Sequence, residues 1–355
     1  MEAEGGGPCC GMSRLLKWDG SEMALSHEIF LRSMRLTFSH WTKHAAVLAA
    51  GLLWCRNSNH ALCPRASKWL LAGSLASYVW RVFASHAGGH RYFAHSSFRT
   101  TKWFELAMAM TIQISASNEN IVYWINFHEH HHQACETEDD IHSPHFDGFW
   151  AVQVQDSSTN LVTTQEGIDR LFRTDLLEFR FLNNLVWLRN RQVEIKALEH
   201  LLWACCGKDC LFWMCILPNV LHFHAIRLTN SAAHLWGYRP YAAQFTPDHC
   251  TASNNWWVAL LNGGEGWHNN HHAFMGSARH GFMWWEIDWV YLGLRGLGAL
   301  GLVWDIKVVT EEVLAARYQK DRRRKLGINR LYQLECAGSK AHRSKHAAAW
   351  LLSIL

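Results

Sequence analysis

The sequence holds the pattern H-x-x-H-H twice, as "HEHHH" (His128, His131, His132) and "HNNHH" (His268, His271, His272). With 24 histidines in 355 residues, chance supplies this pattern roughly 0.1 times. Positions i, i+3 and i+4 of a helix share a face, so each box is expected to turn three imidazoles to one side. Upstream, "HRYFAH" sets His90 and His95 five apart. On an α-helix that is about 140° around the axis, so the pair would flank a metal from two sides. "NSAAH" adds Asn230 and His234, four apart and on a common face. A satisfied core histidine explains single cases such as His222 or His280. It does not explain three boxes.

His90, His95, His128, His131, His132, His234, His268, His271 and His272 make nine imidazoles. A structural zinc closes with four ligands, so nine is too many for one. Two metals with four or five ligands each fit the count. Neutral imidazole suits iron, copper, nickel and zinc. Two redox metals in an apolar chain point to oxygen activation, and iron is the usual choice.

The setting is apolar but broken. Apolar residues make up 49% of the chain and charged ones 18%, yet the mean hydropathy is only -0.13. No run of 20 apolar residues exists, and shorter runs come in pairs: 45–55 with 69–80, and 195–206 with 210–226. Each pair reads as a helical hairpin with polar flanks near the headgroups, or as the core of a soluble helical protein. The 20 tryptophans favour membrane interfaces. All boxes must meet at one site, so an even number of crossings lies between His132 and His234. The 103–117 run carries Glu105 and is expected to lie within the protein rather than span.

Other features are plainer. A net charge of +4 without a basic stripe gives no nucleic-acid surface, and "KDRRRK" at 320–325 reads as a solvated or membrane-facing run. Eleven cysteines form no C-x-x-C pair, and Cys205, Cys206, Cys210 and Cys215 lie in an apolar stretch. Reduced, buried thiols are expected there rather than a disulfide framework. The acidic, glycine-rich N-terminus shows no signal-peptide pattern.

From about residue 85 to 310 the chain resembles the membrane fatty-acyl desaturases of the stearoyl-CoA (Δ9-type) family. The likeness is densest in "NSAAHLWGYRPY", "GEGWHNNHHAFMGSARHG" and "LGLVWDIK", and the "SARHG" and "WDIK" pieces look like the bacterial and plant branch. The resemblance implies an all-α integral membrane fold: four transmembrane helices as two hairpins (about 41–88 and 195–226) under a cytosolic helical cap. A segment over 1–35 would precede the desaturase domain at 36–310, and a tail over 311–355 would follow it. The nine histidines would hold two irons, with Asn230 reaching one of them through water. The implied reaction inserts a cis double bond into an acyl-CoA or acyl-lipid with O2 and two external electrons. Without a haem-binding H-P-G-G signature, a separate cytochrome b5 or ferredoxin would supply them. The implied location is the endoplasmic reticulum with a cytosol-facing site, or a plastid or bacterial inner membrane. A related hydroxylase or conjugase, or a non-catalytic metal-binding homologue, are the alternatives.

Asp140 and Glu265 are candidates for orienting imidazoles. The chain also departs from the family pattern. Glu129 stands where arginine is usual, Arg227 where tryptophan is, Ile141 where proline is, and Ser96 where arginine is common. Glu129 and Arg227 are therefore candidates for the substrate channel.

Overall fold

The computed structural model describes residues 41–54, 56, 62–115, 121–137, 140, 142–154, 192–242 and 250–318. The 1–35 segment, the tail beyond 318 with its "KDRRRK" run, and Ile141 lie outside them. The described chain is mostly helical, with one exception to the all-α expectation. Two short strands, Arg99–Thr100 and Val303–Trp304, pair antiparallel.

Two long helices carry histidines toward one end. The first starts at Lys68, where the Ser67 side chain accepts from the Leu70 N–H and satisfies one of the unpaired donors of the first turn. It runs as α-helix to Phe83 and as π-helix over Ala84–Ala94. The second runs from Lys208 through a π-helical Leu211–Ile216 to Asn230. Their N-terminal ends meet: Lys208 Nζ donates to the Cys63 carbonyl at 2.9 Å, and Trp213 Nε1 donates to the Arg65 carbonyl at 2.9 Å. The helix Gln192–Cys205 reaches the second through Gly207, whose φ of 104° lets the chain reverse. From Lys68 to His90 is 22 residues, about 33 Å of helix. The hairpin turns and the histidines therefore sit at opposite ends.

The helix Lys102–Ile114, capped by Thr101, packs along the π-helical stretch with Glu105, Met108, Ala109 and Ile112 buried. It lies along the protein with one face buried, where Tyr92 donates to Glu105 at 2.8 Å, and leaves Trp103 exposed on the other. Gly88 permits the close approach. A Cβ there would stand 2.9 Å from Met108 Cβ and 3.3 Å from Ile112 Cδ1.

The "WDIK" segment closes the far side. Lys307 N–H donates to Ser97 O and Lys307 O accepts from Ala278 N–H, joining the exits of the first and third boxes. Beneath it Ala87, Phe98, Met108, Ala278, Val290, Leu294 and Val303 form a buried apolar cluster.

Elsewhere apolar side chains face outward. Leu48, Leu52, Trp69, Leu75, Leu198, Leu201 and Leu202 are all more than half exposed. Among the described residues, one helix, Lys208–Leu235, is long and apolar enough by itself to cross a membrane.

Replacing Gly88 with valine should force Met108 and Ile112 aside at a cost of about 1–3 kcal/mol. A lower melting temperature of the detergent-solubilised, metal-free protein would show it. An unchanged melting temperature would mean that the two helices do not pack here.

Candidate metal centre

The four histidine-bearing segments converge on two adjoining groups. His90, His95, His128, His132 and His271 form one, and His131, His234, His268 and His272 form the other, with ring nitrogens within 4.8 Å of one another in each. Within the first, Nε2 atoms face each other at 2.9 Å for His95–His128, His128–His132 and His132–His271, and at 3.0 Å for His90–His271. Within the second, His234–His268 stand at 3.0 Å and His268–His272 at 3.2 Å. Nitrogens about 2.0–2.1 Å from a common metal and at right angles would be about 3 Å apart. The spacing therefore suits ligands converging on one ion. His131 Nε2 is buried with no protein partner, as a nitrogen kept for a metal would be.

One reading of the spacing needs correction. His90 and His95 share one group, but they are not set 140° apart around an α-helix. The stretch is π-helical, the His95 N–H donates to the His90 carbonyl five residues back, and the two rings lie 4.9 Å apart. A π-helix brings i and i+5 into register, which an α-helix does not. The H-x-x-H-H boxes each divide their rings between the two groups. Successive residues turn about 100°, so i+3 and i+4 diverge enough to reach different groups. His128 and His132 go to the first group and His131 to the second. His268 and His272 go to the second and His271 to the first.

Four of these nine rings are aimed from behind. His90 Nδ1 lies 2.6 Å from Glu265 Oε2, and His131 Nδ1 lies 3.0 Å from Asp140 Oδ1. His234 Nδ1 lies 2.8 Å from Glu136 Oε1, and His272 Nδ1 lies 3.3 Å from Cys250 Sγ. An acceptor on Nδ1 fixes the tautomer that leaves Nε2 free to bind.

Glu136 was not singled out by the sequence. Its signal was its position four residues, one helical turn, after His132. The helix ends before it, at Ala134, and Glu136 takes a φ of 57°, which swings its carboxylate back to His234, Thr251 and Ser143. Asp140 accepts the Glu136 N–H, so the two acids brace each other.

Arg91, inside the first box, was also missed. Fully buried, it donates to Glu265 at 2.9 Å and to the Ala278 carbonyl at 2.7 Å, and pairs with Asp288 at 3.0 Å. Gly264, with φ 104°, lets Asp288 approach; a Cβ there would stand 2.6 Å from Asp288 Cγ.

The remaining candidates lie nearby or apart. Asn230 ends its helix, half-buried, and the chain kinks at Ser231 before His234. Arg227 is buried, with its guanidinium 3.4 Å from the Val152 carbonyl and over the Phe223 ring at 5.0 Å. Glu129 is half-buried on the second-box helix, and Ser96 is exposed. His280, held by Arg91 and Glu265, flanks the first group with its ring 4.7 Å from His271.

The cysteines differ from expectation. Cys205 and Cys206 are free but exposed, and only Cys215 of that cluster is buried. Cys135 and Cys250 form a disulfide. Their sequence separation of 115 residues gave no pairing signal.

Burial, followed by repulsion from neighbouring imidazoles, pushes His128, His132, His268, His271 and His272 well below the usual histidine range. Burial alone would raise Glu265, but His90, His280 and Arg91 around it outweigh that and hold it well below the usual carboxylate range.

The comparisons with known proteins agree with this site. The model of the fatty acid desaturase family matches residues 66–296, and the chain belongs to that family. A chloroplastic protein of Arabidopsis thaliana described as a probable lipid desaturase is 38% identical over 243 residues, 66% of this chain and 63% of the relative. An acyl-CoA C20 Delta5-desaturase of Anemone leveillei is 36% identical over 237 residues, 65% of this chain and 71% of the relative. An sn-1 stearoyl-lipid 9-desaturase of a Synechocystis strain is 33% identical over 232 residues, 64% of this chain and 68% of the relative. The chain thus spans just under two thirds of the chloroplastic relative's length.

The imidazole shifts fix the sign of the pH dependence. Free imidazole titrates near 6.5, and the buried rings titrate lower. Below about pH 6.5 the unfolded chain therefore binds more protons, and stability falls with pH by up to about 1.4 kcal/mol per ring per unit. Metal-free protein should melt markedly lower at pH 5.5 than at pH 7.5. Equal melting temperatures would mean that the rings are not buried neutral.

Proposed function

We propose that this chain is a membrane-embedded di-iron desaturase that inserts a cis double bond into a fatty-acyl chain. The observation that carries it is the division of nine imidazoles, seven buried and His95 and His128 half-buried, into adjoining groups of five and four. Asn230 ends the helix just before His234 of the smaller group, and the family resemblance makes it the tenth donor, through water. When bound, a pair of irons supplies the O2-dependent oxidation that takes two hydrogens from neighbouring methylenes.

The protein's own part is positional. Glu265, Asp140 and Glu136 hold His90, His131 and His234 in the tautomer that presents Nε2 inward. Arg91 holds Glu265 in place and offsets its charge. Burial of the boxes excludes bulk water, which would otherwise drain oxidising equivalents.

Four crossings as two hairpins suit the exposed leucines and tryptophans and the long separation of hairpin turns from histidines. A hydrocarbon core of about 30 Å matches that separation. Chloroplastic and cyanobacterial relatives give a plastid membrane at least the weight of the endoplasmic reticulum. Relatives named for Delta5 acyl-CoA and for 9-position lipid substrates leave carrier and position open in this chain. The two external electrons come from a separate carrier, a cytochrome b5 or a ferredoxin.

Expression in a desaturase-deficient yeast, with fatty-acid profiling, tests the reading directly. Wild type should yield new monounsaturated acyl chains. His271→Ala should yield none while remaining in the membrane fraction with reduced iron. Desaturation at near wild-type rate by the variant would overturn the ligand assignment, and a hydroxylated product would favour hydroxylase chemistry.

The departures bear on substrate choice. A buried guanidinium where tryptophan is usual is costly beside an apolar chain unless it grips something polar. Arg227→Trp combined with Glu129→Arg should change the accepted chain length or carrier and leave iron content alone. An identical product profile from acyl-CoA and lipid substrates would remove both residues from the channel.

A further inference from the structure

The Cys135–Cys250 disulfide lies against the metal centre, in a protein that leaves other thiols free. Cys205 and Cys206 are adjacent, exposed and unpaired, so the paired cysteines are the ones at the histidine groups. Disulfides are scarce where the surroundings keep thiols reduced, and those present there are usually catalytic or redox-sensing. The position of this one is specific. Cys135 is three residues past His132 and directly before Glu136, the acceptor for His234. Cys250 is directly before Thr251, which donates to the same Glu136 at 2.6 Å, and its own sulfur is 3.3 Å from His272 Nδ1. One covalent bond therefore joins the two segments that aim His234 and His272. Through the Glu136 N–H on Asp140 it also reaches the partner of His131. Three of the four imidazoles of the second group depend on groups next to this bond.

We infer that Cys135 and Cys250 form a redox-modifiable latch, whose disulfide state holds the second histidine group in its metal-binding arrangement and whose dithiol state loosens it. The exchange balances as two electrons and two protons. A protein dithiol of the thioredoxin class attacks one sulfur, forms a mixed disulfide, and leaves as its own disulfide while Cys135 and Cys250 become thiols. Both cysteines are buried, Cys135 at 0% and Cys250 at 8% exposure, so a reductant attacks when the segment opens locally. The inference rests on the metal-centre reading above and adds a control to it.

The test uses full-length protein purified with iron in detergent. Alkylation and mass spectrometry before and after treatment with a dithiol should show Cys135 and Cys250 blocked, then free. Release of iron to a chelator is followed in parallel, with a phosphine as reductant because dithiols bind metal. Partners of metal-bound histidines commonly change affinity 10–100-fold when lost. Reduction should therefore speed release of about half the iron by roughly ten-fold or more. Cys135→Ser, which keeps Cys250 beside His272, should release that half at the fast rate with or without phosphine. Iron release unaffected by reduction in wild type, or two thiols free from the start, would overturn the latch. Absence of metal in both redox states would count against the metal-centre reading as well, whereas equal retention in both states would count against the latch alone.

Discussion

Nine imidazoles can share one small buried volume only if they stay uncharged. Any two protonated rings at these distances repel strongly, and burial removes the water that would screen them. Burial favours the uncharged ring, as at His234, where the Glu136 carboxylate pulls the other way; the hydrogen bonds choose the tautomer. Carboxylates on the far nitrogens of His90, His131 and His234 hold a proton on Nδ1 and keep Nε2 bare. Those carboxylates then need their own partners, and much of the surrounding fold provides them. Arg91 reaches Glu265 and Asp288 together, while Thr251, Ser143 and the Glu136–Asp140 contact close the other side.

The same requirement explains features that look unrelated along the chain. Gly264 has no side chain because Asp288 must come close to the third box. Gly88 has none because the helix behind the first box must press against it. The 303–307 segment has little chemistry of its own, yet it joins Ser97 to Ala278 through Lys307 and so fixes the two box exits relative to each other. The histidine groups are held by backbone zippers and buried ion pairs. The long hairpin helices set its distance from their turns.

The histidines were legible in the sequence because spacing alone carries them. Two H-x-x-H-H boxes are rare by chance, and helical geometry puts their side chains on one face. The partition between two groups was not legible, since it depends on how two separate helices face each other. His90 and His95 were misjudged because an α-helix was assumed. Nothing in "HRYFAH" announces the wider π turn, which the surrounding packing selects. Asp140 and Glu265 were visible as acids close to boxes. Glu136 was less so, because its role depends on a left-handed backbone turn that a glutamate rarely adopts. The Cys135–Cys250 bond joins points 115 residues apart, and only folding brings them together. The hairpins were visible as paired apolar runs, but single-helix length and hydropathy singled out only Lys208–Leu235 among the described residues.

The partition has a consequence for how the centre assembles. Each H-x-x-H-H box gives its i and i+4 rings to one group and its i+3 ring to the other, and the two boxes do so in opposite senses. The second-box helix thus supplies His128 and His132 to the first group and His131 to the second, while the third box reverses the proportions. Neither group can be completed by one box alone. The first box then adds two rings to the first group, and His234 adds one to the second, which gives five and four. Such an arrangement is cross-braced: a metal ion bound in either group would pull on both helices and so help to order the other group. Binding at one group would then help to position the ligands of its neighbour, as where metal binding and local folding are coupled. Two separate boxes, each closed around its own ion, would lack that coupling. The alternation of i+3 with i, i+4 produces it from the same six histidines.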